Sequence, residues 1–235
     1  RACGRFAFFY NHQQIQNKCR KAKGRIPQEL DQLTIDGDVL TVEPKLNIFV
    51  VGSISGGTGS GMLIDLGYCL RNWFQGQRLE TTAIIPTPDA FLGIGGNINI
   101  QENGYAALME LNYFSDQNTN YSVRYGLSEN TRIIENRSPY DYLYLTGTSN
   151  QEVSLKIETI QEMMAQQIFL DLVSDFSSYK RSIRDNIKRD IGSSSDQAKN
   201  SQQKAMGRSY SLNFFSFGIA SIEIPVHAIR KALAV

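Results

Sequence analysis

The sequence predicts an α/β fold: a Rossmann-like parallel sheet with a long helix leading to a second domain. Three observations predict it. Leu46–Val51 is a continuous apolar run, as expected of a strand buried on both faces of a parallel sheet, and it runs into a glycine-rich loop at Gly52–Gly61. Beyond the loop, Met62, Leu66, Leu70 and Trp73 recur at helical spacing up to Phe74, and Thr81–Ile85 is a second apolar strand. Strand, loop, helix and strand make a βαβ unit, whose strands are expected to be parallel. Further on, Val153, Ile157, Ile160, Met164, Ile168, Leu172, Phe176, Tyr179, Ile183 and Ile187 recur in steps of three and four. One helix, or two in line, would run about 50–60 Å over that stretch at 1.5 Å per residue.

The elements follow in order. Arg1–Lys23 mixes Arg, Lys and Gln with Ala, Phe and Ile and suits an amphipathic helix. Arg1 stands inside that pattern, with no initiator Met and no strand ahead of it. The expectation is therefore that residues precede it and carry part of any site. Val39–Val42 reads as a strand. After Thr81–Ile85 comes the turn Pro86-Thr87-Pro88. Phe91–Ile100 is a loop, Glu102–Leu111 a helix, and Asn112–Arg137 is polar and has no clear period. Tyr140–Leu145 is a strand ended by Gly147-Thr148-Ser149-Asn150. The latter part of the long helical pattern is basic (Lys180, Arg181, Arg184, Lys188, Arg189) and reads as a solvated face rather than a binding patch. Gly192–Gln203 is rich in Ser, Gln and Asn and reads as a loop; Phe214–Ile224 reads as a strand and Val226–Leu233 as the start of a helix.

Composition narrows the function classes. Of 235 residues, 41% are hydrophobic and 20% charged, enough for a sizeable core. The net charge of +1 gives no global pull toward nucleic acid or an anionic membrane. No apolar run approaches the roughly 20 residues that span a bilayer. Cys3, Cys19 and Cys69 show no CxxC spacing, so neither a disulfide framework nor a thiolate metal site is expected, and a cytoplasmic setting is the default. His12 and His227 lie far apart in sequence, which disfavours a His-based triad.

The loop carries the chemistry. Glycines let a backbone approach a phosphate closely, its N–H groups point at the anion, and the following helix N-terminus adds partial positive charge. Thr58 and Ser60 add hydroxyl groups. No lysine follows the glycines, which excludes the Walker A pattern, and neither Ser55 nor Ser60 has a glycine two residues before it, which excludes a hydrolase elbow. A valine at Gly57 or Gly59 is expected to block the ligand and leave the fold mostly intact.

Ser55-Gly56-Gly57-Thr58-Gly59-Ser60-Gly61 resembles the small–Gly–Gly–Thr–Gly–Ser/Ala–Gly motif of the tubulin/FtsZ superfamily at every position. The resemblance continues loosely through Ile84-Ile85-Pro86-Thr87-Pro88, through the acidic helix start Glu102-Asn103-Gly104, and through a long central helix. It looks closest to divergent bacterial tubulin-like proteins. It implies a tubulin/FtsZ-type GTPase fold, divided into a partial nucleotide-binding domain at 1–150 that lacks its first strand and first phosphate loop, a central helix at 151–191 and the start of a second domain at 192–235. It also implies GTP or GDP as ligand, with Mg2+ as an accompanying ion, and head-to-tail self-association into protofilaments. By the same resemblance Ser55–Gly61 hold phosphates, Glu102 meets the ribose hydroxyls, and Asn150 meets a purine edge.

Each assignment has a plainer counterpart. Glu102 also suits the helix dipole, Asn150 also suits an N-cap, and Asp89 beside the Pro-x-Pro turn suits turn chemistry. Trp73 and Cys69 read as core, and His12 and His227 as surface or structural residues. The family's acidic loop after the central helix is not matched: Asp196 and Asn200 lie in Gly192–Gln203 in neither its order nor its spacing. No catalytic residue is therefore named, and slow or absent hydrolysis is expected. A non-hydrolysing scaffold of tubulin fold is the alternative reading, and a dinucleotide-binding enzyme of doubly wound fold a remoter one.

Overall fold

The computed structural model describes residues 1–26, 32–35, 38–41, 45–92, 99–116, 119–149, 154–173, 179, 180, 182–184, 186 and 214–219. Helix α1 spans Ala2–Lys23, with Arg20, Lys21 and Lys23 in its last turn, where cations suit the helix dipole. Strands β1 (Gln32–Ile35) and β2 (Asp38–Thr41) form an antiparallel hairpin, of which only the second strand was expected. Then come β3 (Leu46–Val51), α2 (Gly57–Trp73) and β4 (Leu79–Pro86). A single 3-10 turn at Pro88–Phe91 leads toward α3 (Ile100–Phe114). Strands β5 (Tyr121–Arg124) and β6 (Arg132–Glu135) pair antiparallel, β7 is Tyr142–Thr146, and α4 is Ile157–Val173. Phe214–Phe215 forms β8.

The main sheet has the order β3-β4-β7-β8, and all its pairings are parallel. Within β4 the side chains alternate as a strand demands. Ala83 and Ile85 join a core with Phe8 of α1, Leu63, Cys69 and Trp73 of α2, Leu111 of α3 and Leu143 of β7. Ile84 faces the other way, with Tyr142 and Tyr144 of β7 and Ile160 and Met164 of α4. Helices thus cover both faces of a parallel sheet, which is the doubly wound arrangement expected. At 0% exposure, Ile84 and Ile85 each contribute about 1.5–3 kcal/mol from burial.

The expectation that β3 is buried on both faces does not hold. It forms one edge of the described sheet, with a single partner strand, and Val51 is 54% exposed. The central position belongs to β4, whose residues Thr81–Pro86 are all buried. Helix α2 begins at Gly57 rather than Met62, so half of the glycine run is helix. Its poor intrinsic propensity is overridden by packing. A Cβ on Gly4 of α1 would lie 2.3 Å from the Gly57 carbonyl oxygen, and one on Gly61 would lie 2.3 Å from that of Arg1, so the two helices meet backbone to backbone.

Two buried polar clusters tie the elements together. Asp65 of α2 accepts hydrogen bonds from the hydroxyls of Tyr121 (2.5 Å) and Tyr125 (2.7 Å) and pairs with Arg5 of α1 at 2.9 Å. Burial, together with the nearby charge of Asp65, pushes both phenols far up, so they stay protonated donors. In the second, Asp141 pairs with Arg71 at 2.8 Å and accepts from the Thr81 N–H and hydroxyl at 2.8 and 3.0 Å.

Helix α4 starts at Ile157, later than the expected Val153, because Ser154 is held in an isolated bridge to Ser149. Residues 179, 180, 182–184 and 186 are also helical, and 174–178 lie outside the described residues. The solvated reading of the basic stretch fails at two positions. Arg184 is 6% exposed, sits 4.1 Å over the Tyr142 ring and donates to the Tyr144 hydroxyl at 3.2 Å; Lys180 pairs with Asp171 at 2.8 Å. A carboxylate and tyrosine π-faces compensate the desolvated cations.

Phe214–Phe215, which the sequence places near the opening of a second domain, pairs with β7 and extends the main sheet. The strand is shorter than the expected Phe214–Ile224, since residues 216–219 are not strand. The rest of 187–235, including the expected helix at Val226–Leu233, lies outside the described residues.

Candidate phosphate site at the strand exits

The parallel strands point their carboxyl ends to one edge, where an open α/β sheet binds its ligands. The loop Gly52–Gly56 leaves β3 there and turns into α2. Gly56 is the N-cap, with extended backbone (φ −94°, ψ 161°). The helix has no side-chain cap hydrogen bond and no acidic residue in its first turn. Its first N–H groups have no intrahelical acceptor, as in any helix, and among the described residues no side chain substitutes for one.

The glycines divide by what surrounds them. A Cβ at Gly59 would lie 2.0 Å from the Ser53 carbonyl oxygen, so glycine is required there for the loop to pack on its own helix. A Cβ at Gly56 or Gly52 meets no atom of the described residues within 4 Å. Neither has a left-handed backbone, so the fold itself does not require glycine at these two positions. This corrects the expectation for Gly59: a valine there strikes backbone before it reaches any ligand. Gly57 is intermediate, its Cβ position 3.1 Å from the Arg1 nitrogen.

The hydroxyls also divide. Ser60 donates to the Gly56 carbonyl at 2.6 Å, so its proton is engaged within the loop. Thr58 is exposed on the first turn. Ser55 is 3% exposed, and its hydroxyl has no hydrogen-bond partner among the described residues. Its N–H donates to the Ser53 hydroxyl at 3.0 Å, and its carbonyl accepts from the Asn103 side chain at 3.1 Å.

That last bond brings the N-terminus of α3 to the loop. Glu102, in the first turn of α3 and exposed, is therefore carried to the same edge. Asn150 lies outside the described residues, as does 192–203, where the acidic loop was sought. Two features were missed in the sequence. Asn103 carried no signal beyond standing beside Glu102. Asp89 was read as turn chemistry, yet it reaches the segment that leaves β7: it accepts from the Thr148 N–H at 2.7 Å and hydroxyl at 2.5 Å, and from Thr87. Burial alone would raise its pKa, but the Thr148 and Thr87 hydrogen bonds outweigh that and hold the carboxyl below its usual range. The exits of β4 and β7 are thus locked together beside the glycine loop.

Among the described residues no helix is long and apolar enough to cross a membrane. Comparisons with curated proteins and with solved structures found no match. A family model described as tubulin-like matches residues 1–235, the whole of the sequence. The parallel sheet, the glycine loop at its strand-to-helix junction and that full-length match agree: the chain belongs to the tubulin-like family.

Proposed function

We propose that the protein binds a guanine nucleotide, with the phosphates seated on the N-terminus of α2. The observation that carries this reading is the uncapped helix start at Gly56–Gly57, where, among the described residues, Gly56 has no packing reason to be glycine and the buried Ser55 hydroxyl has no partner. A phosphate fits these features: it needs close backbone approach, free N–H donors and a nearby hydroxyl. The N–H groups of Gly56–Gly59 and the Thr58 hydroxyl would hold phosphate oxygens, Glu102 the ribose hydroxyls, and Asn150 the purine edge. A helix N-terminus adds about 0.3–1 kcal/mol per favourable anion, so several donors must act together. Bound GTP supplies a polyanionic phosphate chain with a transferable terminal phosphoryl group. Family membership supports guanine rather than adenine as the base. Head-to-tail self-association, a heterologous contact that does not close on itself, is part of the same reading.

The scaffold reading, a tubulin-like fold used for protein interaction with weak or no hydrolysis, is favoured by one observation: in the sequence Asp196 and Asn200 stand in neither the order nor the spacing of the family's acidic loop. Titration of the full-length protein with labelled GTP, GDP and ATP tests the proposal. Preference for guanine nucleotides supports it, and equal affinity for ATP, or no binding, overturns it.

A further inference from the structure

Among the described residues, the peptide group joining Ser55 to Gly56 is held from one side only. The Asn103 side-chain amide donates to the Ser55 carbonyl at 3.1 Å. In a trans peptide the C=O and the following N–H point in opposite directions. Pinning the Ser55 carbonyl toward α3 therefore turns the Gly56 N–H away from α3. The next peptide is pinned as well: the Gly56 carbonyl accepts from the Ser60 N–H at 3.2 Å and from its hydroxyl at 2.6 Å, so the Gly57 N–H points out of the helix start. Two consecutive N–H groups are thereby oriented by donors that hold the carbonyls behind them, the first by a residue from another helix.

The position of Asn103 is itself fixed. Its neighbour Gly104 is buried against the Pro88 ring, where an added Cβ would lie 2.1 Å from a ring carbon. That contact seats the first turn of α3 on the exit of β4, at the turn whose Asp89 holds Thr148 of the β7 exit. Asn103 therefore stands where the sheet's carboxyl edge is rigid, and its amide reaches the β3 exit.

We infer that Asn103 is a positioning residue for the phosphate loop: it sets the direction of the Gly56 N–H by holding the Ser55 carbonyl. The inference rests on the nucleotide reading above. The glycines alone do not impose this direction, because a peptide flanked by Gly56 can rotate when nothing holds its carbonyl. Asn103→Leu keeps the number and branching of the side-chain heavy atoms and removes the donor. Asn103→Asp places a carboxylate against the carbonyl and should be the more damaging change.

The test uses the full-length protein and two readouts. Hydrogen exchange without nucleotide should quicken in the segment Gly52–Gly61 of Asn103→Leu and stay unchanged in the β5–β6 hairpin. GTP affinity should fall about tenfold, the size of one lost hydrogen bond, and further in Asn103→Asp. Exchange that quickens equally in the hairpin means general destabilisation and overturns the assignment. Unchanged GTP affinity in Asn103→Leu, with wild type binding, overturns the assignment alone. A wild type that binds no nucleotide overturns the functional reading, and with it the role given to Asn103.

Discussion

Replacing Asp65 by alanine is expected to cost about 3–5 kcal/mol, the range for breaking a buried charged cluster from one side. The figure can be built from the contacts. The Asp65 side chain is 3% exposed, and the Arg5 side chain that pairs with it is 52% exposed. Water can replace Asp65 around Arg5, so that pair contributes little. The two tyrosine hydroxyls cannot be rescued in this way, because Tyr121 is 1% exposed and both donate into the same buried carboxylate. Each such bond to a charged acceptor is worth about 1.5–3 kcal/mol, less what the Tyr121–Tyr125 hydroxyl contact recovers. Against a typical total stability of about 5–15 kcal/mol, the loss is large enough to read in a urea titration. The variant Asp65→Ala/Tyr121→Phe removes one stranded hydroxyl and should be more stable than Asp65→Ala alone. A cost below about 1 kcal/mol for Asp65→Ala, or no recovery in the double variant, would refute the view that this cluster anchors α1 and the β5–β6 hairpin to α2.

Two further expectations concern the glycines and pH. Gly59→Ala should destabilise the protein by several kcal/mol, whereas Gly56→Ala should change the melting temperature little, since only the first Cβ meets backbone, at 2.0 Å; paired thermal melts decide it, and equal effects would mean that the loop geometry is wrong. Asp141 provides the pH test. Its burial raises the carboxyl pKa, but Arg71 and the Thr81 hydrogen bonds bring it below the usual value. A depressed folded pKa gives stability that is present above the unfolded value near 3.9 and is lost as pH falls through the folded one. The difference in melting temperature between wild type and Asp141→Asn should therefore shrink below about pH 4, and a difference that stays constant down to acid would contradict this.

The βαβ unit was legible because its signals are local. Apolar runs mark β3 and β4, and a stripe from Met62 to Trp73 marks α2. The start of α2 was not legible, because Gly57–Gly61 become helical only through contact with α1 and Ser53. The β5–β6 hairpin was hidden in a polar stretch whose alternation is short, and Tyr121 gains its burial from Asp65, 56 residues earlier. Lys180 and Arg184 looked solvated since a sequence does not show which carboxylates and rings will face them. At the site, the motif identified the loop, but the roles of its members came from distances. Gly59 serves packing, Ser60 bonds within the loop, and the Gly56 Cβ direction and the Ser55 hydroxyl have no such use among the described residues. Asn103 became visible only once α3 was placed against the loop.

The central claim is that α2's N-terminus holds the phosphates of a guanine nucleotide, and Gly56→Val tests it most directly. The backbone at Gly56 is extended and its Cβ direction is open, so valine is compatible with the fold. Nucleotide affinity and the melting temperature without nucleotide should be measured together in the full-length protein. The account predicts a melting temperature within a few degrees of wild type and loss of GTP binding by about a hundredfold or more, as expected when a side chain displaces the phosphate from several N–H donors at once. A stably folded Gly56→Val that binds GTP as tightly as wild type would contradict it.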